Sequence, residues 1–172
     1  MSTKGGRIRG HSFNGAPERF EVLAEYIYNH YGKSVKYIAD VAGGQGMLTR
    51  ILRKKYNYQS EVFDIREWTL VGVPHRQEKF EPQHAGYYDL VVGLHPDGAT
   101  RAVAEAALIK PTILIPCCNF WDQTKKLGRE AMLTEISAFY DKASVKHERV
   151  VFDFDSSKNV GLVSAPTSAS RR

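Results

Sequence analysis

Apolar side chains along the chain recur at two spacings, one typical of helices and the other of buried strands. Helical spacing, with apolar positions three or four residues apart, predicts helices at residues 16–32, 47–56, 98–110 and 124–143. Continuous apolar runs between them predict buried strands at residues 34–43, 59–65, 87–96 and 111–118, with a short additional strand near Arg76 to Phe80. Strands and helices therefore alternate through most of the chain.

The end of the chain departs from this alternation. Two apolar runs, residues 145–155 and 160–166, flank a polar turn and predict a β-hairpin. Alternating strands and helices favour a parallel sheet with helices on both faces, and a closing hairpin adds antiparallel pairing. We therefore predict a single α/β domain over residues 16–166 with a seven-stranded, mostly parallel sheet. A flexible basic arm, residues 1–15, precedes this domain, and a polar tail, residues 167–172, follows it.

Composition narrows the class of protein. A length of 172 residues suits one domain with a full core. No apolar run approaches the roughly 20 residues that a membrane helix needs, and the N-terminus lacks the apolar segment of a secretory signal. We therefore expect a cytoplasmic protein that does not enter a membrane. Cys117 and Cys118 are adjacent, which disfavours a disulfide between them, and two thiols cannot form a four-cysteine zinc site, so no metal is predicted.

The net charge of +5 favours a polyanionic partner such as RNA. The basic residues cluster in three groups: Lys4, Arg7 and Arg9; Arg50, Arg53, Lys54 and Lys55; and Lys125, Lys126 and Arg129. A solvated surface, with cations that suit helix C-termini, explains the same pattern. Charge alone therefore leaves nucleic-acid binding and an ordinary surface equally open.

A glycine-rich turn, within the sequence IADVAGGQGMLTRIL, joins the first predicted strand to the next helix. Such turns hold a phosphate or a nucleotide, or serve only to reverse the chain. The dinucleotide fingerprint G-x-G-x-x-G fits at Gly44 and Gly46 but has Thr49 in place of its third glycine. An acidic residue followed by G-x-G-x-G fits better, at Asp40, Gly44 and Gly46, with Ala42 in place of the first glycine.

This second pattern, together with the helix-first element order and the closing hairpin, resembles the class I S-adenosylmethionine-dependent methyltransferases over nearly the whole chain. The resemblance implies a Rossmann-like fold and S-adenosylmethionine as the cofactor. In that family the acidic residue at the strand end helps to fix the amino-acid end of the cofactor, and the glycines let the backbone lie against it. The corresponding cofactor-binding residues here are Asp40, Ala42, Gly43, Gly44 and Gly46, with Leu94 and His95 after the fourth strand.

A second carboxylate supports the resemblance. Asp64 ends the second predicted strand about 20 residues beyond the glycines, where a carboxylate can accept hydrogen bonds from both ribose hydroxyls. The alternative role for an aspartate at this place is to cap a turn. In the cofactor interpretation, Ile65 lies beside the adenine, and Phe80 or Glu81 flanks its other face.

Two stretches at the C-terminal strand ends are candidates for the methyl-acceptor site, GLHPDGAT at residues 93–100 and PCCNFW at residues 116–121. Together they resemble a smaller methyltransferase group with Leu-His-x-x-Gly and Pro-Cys-Cys elements, which includes the tRNA acceptor-stem 2′-O-methyltransferase. His95 is a candidate general base because histidine titrates near neutral pH, and Asp97 could orient it or take the proton itself. Alternatively, Asp97 caps the following helix and His95 bonds only the backbone.

The PCCNFW stretch carries two further candidates. Cys117 or Cys118 could be a nucleophile, as in RNA cytosine-5 methyltransferases, or a small buried apolar residue. Asn119, Phe120 and Trp121 could bond and stack on an exposed nucleotide, or could pack against the domain instead.

The sequence therefore predicts an S-adenosylmethionine-dependent methyltransferase that acts on RNA, either tRNA or rRNA. In so short a chain, recognition would come from short loops, from Arg7 and Arg9 of the basic arm, or from a protein partner. Two other hypotheses stay open. One is a methyltransferase for a small molecule or a protein, and the other is a non-catalytic module that keeps the fold and binds RNA or a partner.

Overall fold

The structure, a computed structural model, describes residues 15–168 and the backbone of residues 7–8. The four α-helices of this part are α1 Arg19–Tyr31, α2 Met47–Tyr56, α3 Thr100–Ala106 and α4 Arg129–Lys142. The strands are β1 Arg7–Ile8, β2 Tyr37–Val41, β3 Gln59–Phe63, β4 Thr69–Leu70, β5 His75–Arg76, β6 Leu90–Leu94, β7 Thr112–Ile115, β8 Val145–Val151 and β9 Val160–Pro166. None of the helices in the described ranges is long and apolar enough to cross a membrane.

Seven of the strands form one sheet in the order β5-β3-β2-β6-β7-β9-β8. The first five of these strands are parallel, with β2 pairing with β3 on one side and β6 on the other. The C-terminal hairpin closes the sheet, because β9 runs antiparallel to both β7 and β8. The predicted fold class, a seven-stranded mostly parallel α/β sheet with a C-terminal hairpin, is confirmed.

Helices cover both faces of this sheet, and alternate residues along each strand point to opposite faces. On one face, α1 and α2 pack against a core that includes Ile38, Leu90 and Ile113. On the other face, α3 and α4 pack against a core that includes Ala39 and Val91. Both faces of the central strands are therefore buried, which explains why those strands appear in the sequence as continuous apolar runs.

Most elements are shorter than predicted; β8, for example, ends at Val151 rather than at residue 155. The third strand of the parallel series is only His75–Arg76, rather than Arg76 to Phe80, because β3 ends at Phe63 opposite Arg76 and leaves no further pairing partner. The last helix begins at Arg129 rather than at residue 124, because the backbone of Gly128 is extended. The regular part of α3 ends at Ala106, and turns continue the chain beyond it.

A second, two-stranded sheet was not predicted. β1 pairs in parallel with β4, with Arg7 opposite Thr69 and Ile8 opposite Leu70. Part of the predicted arm thus lies alongside the loop that joins β3 to β5. Arg9, the side chain of Arg7 and most of the remaining arm lie outside the described residues, as does the end of the tail.

Candidate functional site

A cleft of about 1010 Å³ opens at the C-terminal ends of the central parallel strands. It lies where the chain crosses from one side of β2 to the other, the place where open α/β sheets bind ligands. Its volume is at the upper end of the roughly 300–1,000 Å³ typical of ligand pockets. Eight of the residues predicted from the sequence line it: Asp40, Ala42, Gly43, Gly44, Leu94, His95, Asp97 and Cys117.

The glycine-rich turn forms one wall of the cleft. The Ala42 N–H donates to the Phe63 carbonyl at 2.7 Å, which ties the turn to the end of β3. A Cβ on Gly43 would lie 2.6 Å from the Asp40 carboxyl group, so no larger residue fits there without a shift. Gly44 has a φ of 59°, a conformation that glycine adopts without steric cost. Backbone without side chains therefore faces the cleft at this wall.

Asp40 lies beneath this turn and is fully buried. The hydroxyl of Thr49 donates to Asp40 Oδ2 at 2.9 Å and also bonds the Ser60 hydroxyl at 2.8 Å. Burial raises the pKa of Asp40 from its ordinary value of 3.8 to about 7, the bonds from Thr49 oppose this rise, and the charge of Asp64 adds to it. Near neutral pH the carboxyl is therefore poised between its two forms, and a nearby cation would favour ionisation.

Asp64 lies directly after β3, and its carboxylate is almost completely buried. It accepts hydrogen bonds from the Gly44 N–H at 2.8 Å and the Arg66 N–H at 2.9 Å. The Arg66 guanidinium adds two bonds, from Nε at 2.9 Å and from Nη2 at 2.8 Å. Burial by itself would raise the pKa of Asp64, but the bonds from Arg66 and Gly44 outweigh it and hold the pKa below its ordinary value. Asp64 is therefore ionised and joins the glycine turn to the loop after β3.

The opposite wall is formed by residues 95–97 and by Cys117. His95 and Asp97 have φ angles of 51° and 46°, which are costly for residues other than glycine. Such strain is concentrated at functional sites. The Cys117 thiol donates to Asp97 Oδ1 at 3.1 Å. Burial and the neighbouring Asp97 raise the pKa of Cys117 to about 12, so the group is a neutral thiol at physiological pH, which does not suit a nucleophile.

The turn of the C-terminal hairpin closes one end of the cleft, where Ser156, Ser157 and Lys158 line it. His95 Nε2 lies 2.8 Å from the Lys158 carbonyl oxygen. Because a carbonyl oxygen only accepts, Nε2 carries the proton and Nδ1 keeps a lone pair. Burial lowers the pKa of His95, which favours this neutral form. His95 therefore bonds the backbone, one of the two roles that the sequence left open, and holds the hairpin turn against β6.

The residues predicted to flank the adenine are separated. Ile65 is 71% exposed beside Asp64, whereas Phe80 is buried in the core and packs edge-on against the Phe63 ring. Phe80 is part of the hydrophobic core on the α3–α4 face, where its ring packs against Phe63 and His84. Gly46 directly precedes α2, and it is not one of the described residues that line the cleft.

The residues after Cys117 form a loop that is held by hydrogen bonds between its own residues. The Asn119 side chain bonds the backbone of Asp122 and Lys125, which fixes the loop. Trp121 is buried, and the Arg101 guanidinium lies 3.9 Å from its ring centroid. Phe120 is half-buried next to Trp121. Within the described ranges, the structure places neither these three side chains nor Cys118 in the lining of the cleft.

Twelve of the cleft-lining residues were missed from the sequence, and four of these come from α1 and from the loop after β3. Arg19 and Phe20 reach the cleft from the start of α1, and Arg66 and Trp68 reach it from the loop after β3. Trp68 is 55% exposed, which is unusual for so large an apolar side chain. Arg66 and Trp68 follow Asp64 closely in the sequence, and this proximity could have placed them at the cofactor site. Arg19 carried no such signal, because it belongs to the opening turn of a surface helix.

No protein-family model matches the chain, and no curated protein is similar to it in sequence. Solved structures nevertheless share its fold. The sugar N-methyltransferase KedS8 from Streptoalloteichus sp is 13% identical, with a TM-score of 0.59 over 97% of this chain and 99% of that one. The tRNA methyltransferase TrmK from B. subtilis is 14% identical, with a TM-score of 0.58 over 91% of this chain and 68% of that one.

A SAM dependent methyltransferase from Aquifex aeolicus is 16% identical, with a TM-score of 0.50 over 87% of this chain and 92% of that one. At these identities the likeness is one of fold. The chain therefore has the Rossmann-like fold of class I methyltransferases, and its cleft lies at the strand ends where that fold binds ligands.

Proposed function

We propose that this protein is an S-adenosylmethionine-dependent methyltransferase that acts on RNA, either tRNA or rRNA. The observation that carries the proposal is that one cleft joins two different walls. The cofactor wall consists of the lining residues Asp40, Ala42, Gly43, Gly44 and Arg66, with Asp64 directly behind them, where it bonds Gly44 and Arg66. The acceptor wall consists of His95, Asp97, Cys117 and residues 156–158. A methyl donor and its acceptor must meet in one place, and these walls face the same space.

The cleft offers partners for three parts of S-adenosylmethionine: the ribose, the ammonium and the carboxylate. Side-chain-free backbone at Gly43 and Gly44 accepts close approach of a ligand. The Asp64 carboxylate can accept hydrogen bonds from a ribose diol. Asp40 can favour the ammonium of the amino-acid end, and the Arg19 guanidinium, which also lines the cleft, can hold the carboxylate. When bound, this cofactor supplies an electrophilic methyl group on a sulfonium.

On the acceptor wall, Asp97 is the candidate general base. It lines the cleft, and the Cys117 thiol bonds its Oδ1, which leaves Oδ2 to accept a proton from the acceptor atom. The bond from Cys117 orients the carboxylate, and this role requires a thiol and not a thiolate. His95 positions the wall by holding the hairpin turn, because its Nε2 proton is engaged by Lys158.

The RNA acceptor is supported by charge and by an aromatic surface at the cleft. Arg66 and Lys158 both line the cleft and can contact phosphates. The exposed Trp68 ring offers a surface on which an unpaired base can stack. The solved neighbour TrmK is itself named as a tRNA methyltransferase. A protein partner could extend this small recognition surface, and the free Cys117 and Cys118 thiols suit a cytoplasmic location.

A small-molecule acceptor is the second candidate. KedS8 is named as a sugar N-methyltransferase, and the two chains match over nearly their whole lengths. The name of KedS8 therefore provides a precedent for a small-molecule acceptor on this fold. This alternative predicts activity that is indifferent to RNA and weak RNA binding even at low salt.

Transfer of labelled methyl groups tests the proposal. Purified protein would be incubated with methyl-labelled S-adenosylmethionine and unmodified tRNA and rRNA transcripts, with Asp97→Asn as the matched inactive variant. Incorporation into RNA that is lost with Asp97→Asn is the expected result. Incorporation into none of these RNAs would contradict the RNA acceptor, and incorporation into a small-molecule extract instead would favour the second candidate.

A further inference from the structure

The Arg66 side chain lies on the carboxylate that the proposed cofactor would need. Its Nε contacts Asp64 Oδ1 at 2.9 Å and its Nη2 contacts Oδ2 at 2.8 Å, so the two groups form a two-point fork. Nη2 also comes within 3.5 Å of where a Cβ on Gly44 would lie. The guanidinium therefore occupies the space between the glycine turn and the loop after β3.

The hydrogen-bonding capacity of Asp64 is fully used by this arrangement. A carboxylate offers about four lone-pair positions, two on each oxygen. Oδ1 accepts from the N–H and the Nε of Arg66, and Oδ2 accepts from the Gly44 N–H and from Arg66 Nη2. A ribose diol would bring two more donors to the same two oxygens. It can bind Asp64 only if two existing donors leave.

The four present donors are not equally replaceable. The two backbone N–H groups are fixed by the turn and by the start of the loop. The guanidinium is carried on a flexible side chain that is 67% exposed, whereas the side chain of Asp64 is only 3% exposed. Water can solvate the guanidinium as soon as it leaves, so the fork is the part of this network that can be exchanged.

We infer that Arg66 is a displaceable stand-in for the ribose diol, and that the cofactor binds by a two-for-two exchange of its hydroxyls for Nε and Nη2. This inference rests on the proposed function, because it takes the ligand to be S-adenosylmethionine or its product. Arg66 thereby keeps the buried Asp64 satisfied in the free protein and sets the affinity for the cofactor. A ligand that cannot present two neighbouring donors does not replace the fork.

Arg66 and Trp68 both line the cleft in the free protein. Asp97 of the acceptor wall lines the same cleft. The bond to Asp64 raises the pKa of Arg66 in the free protein, and the charge of Asp97 contributes. After exchange, the positive charge remains close to the acceptor wall. Arg66 therefore changes its partner without leaving the site.

Calorimetric titration with S-adenosylhomocysteine tests the inference. The proteins compared are the wild type, Arg66→Ala, Arg66→Lys and Arg149→Ala, the last removing a comparable arginine–carboxylate pair outside the cleft, where Arg149 contacts Glu130 at 2.8 Å. Exposed ion pairs contribute modestly and a two-point pair somewhat more, so Arg66→Ala should bind roughly 3- to 10-fold more tightly than the wild type. Arg66→Lys, with a single-point contact, should fall between them, and Arg149→Ala should match the wild type.

The outcomes separate this inference from the proposed function. Equal or weaker binding by Arg66→Ala, with clear binding by the wild type, overturns the inference and leaves the proposed function intact. Absence of binding by every variant contradicts both. If only Arg66→Ala binds, both the inference and the proposed function are supported. In that case the Arg66–Asp64 pair weakens binding by the wild type until calorimetry no longer detects it.

Salt dependence gives a second readout that a structural role of Arg66 would not produce. S-adenosylhomocysteine has no net charge at neutral pH, whereas the Arg66–Asp64 pair is weakened by screening. Wild-type affinity should therefore rise as sodium chloride is increased, and the affinity of Arg66→Ala should stay nearly constant. Parallel salt dependence in the two proteins would argue against the exchange.

Discussion

The cofactor wall and the acceptor wall of the cleft are built in different ways. On the cofactor wall, Asp40, Gly44 and Asp64 lie within 25 residues of sequence and are joined by short-range contacts such as the Gly44 N–H to Asp64 bond at 2.8 Å. On the acceptor wall, His95 bonds Lys158, which is 63 residues away. A local motif therefore encodes the first wall, and the assembled sheet creates the second. The first is suited to a ligand of constant shape, and the second can vary with its acceptor.

Asp97→Asn should give the largest effect and should affect the acceptor wall alone. The amide is similar in shape but cannot take a proton, and general-base contributions are roughly 10²–10⁴-fold, so methyl transfer should fall by about that factor. The rate is measured with labelled S-adenosylmethionine, and affinity for S-adenosylhomocysteine should stay near the wild-type value. Asp141→Asn, at an exposed position on α4, is the control. A rate close to that of the wild type would remove Asp97 from the chemistry.

Asp64→Ala should give the next largest effect, on the cofactor wall. In the proposed complex the Asp64 carboxylate accepts two hydrogen bonds from the ribose hydroxyls. Loss of both bonds should weaken S-adenosylhomocysteine binding roughly 10- to 100-fold. Calorimetry measures the change, with Glu130→Ala as a control that removes a surface carboxylate paired with Arg149. Unchanged binding in a folded Asp64→Ala protein would mean that the ribose lies elsewhere.

The pH dependence of Asp40 is a third, smaller test of the cofactor wall. Because the pKa of Asp40 is raised to about 7, the native state binds more protons than the unfolded state between about pH 4 and 7. The free energy of unfolding should therefore fall as pH rises through this range, and the fall should be smaller in Asp40→Asn. Chemical denaturation at several pH values measures it.

The same group should influence cofactor binding with the opposite trend. The ammonium of S-adenosylhomocysteine favours ionised Asp40, so wild-type affinity should rise with pH through about 7, by at most roughly tenfold per pH unit. Asp40→Asn should show a flat profile. A wild-type profile that is equally flat would separate Asp40 from the amino-acid end of the cofactor.

Cys117→Ser should have the smallest effect on methyl transfer. It distinguishes a cysteine that only donates a hydrogen bond to Asp97 from a cysteine that acts as a nucleophile. A serine hydroxyl can also donate to Asp97, so methyl transfer should change less than about 10-fold, in line with one replaced hydrogen bond. A nucleophilic cysteine would instead make this variant inactive. The labelled-methyl assay, with Cys118→Ser as the paired variant, distinguishes the two roles.

The contrast between the walls also explains what the sequence could predict. The sheet and the glycine turn followed from apolar runs and from residues close together in the chain. In the sequence, Thr49 stands out only because it replaces the third glycine of the dinucleotide fingerprint. In the structure its hydroxyl donates a hydrogen bond to Asp40, a contact that forms only when α2 packs against β2. The position of Phe80 in the core and the arrival of Arg19 at the cleft both depend on tertiary packing, for which the local pattern carries no signal.

Hydrogen–deuterium exchange with saturating S-adenosylhomocysteine tests most directly whether the cofactor binds at the cofactor wall and leaves the acceptor wall uncovered. The backbone amides of residues 40–46 and 64–66 should exchange more slowly in the complex, because the ligand covers the glycine turn and the loop after β3. Residues 156–158 should change less, since the acceptor is absent. Unchanged exchange at residues 40–46 and 64–66 while the ligand is bound would contradict the placement of the cofactor in this cleft.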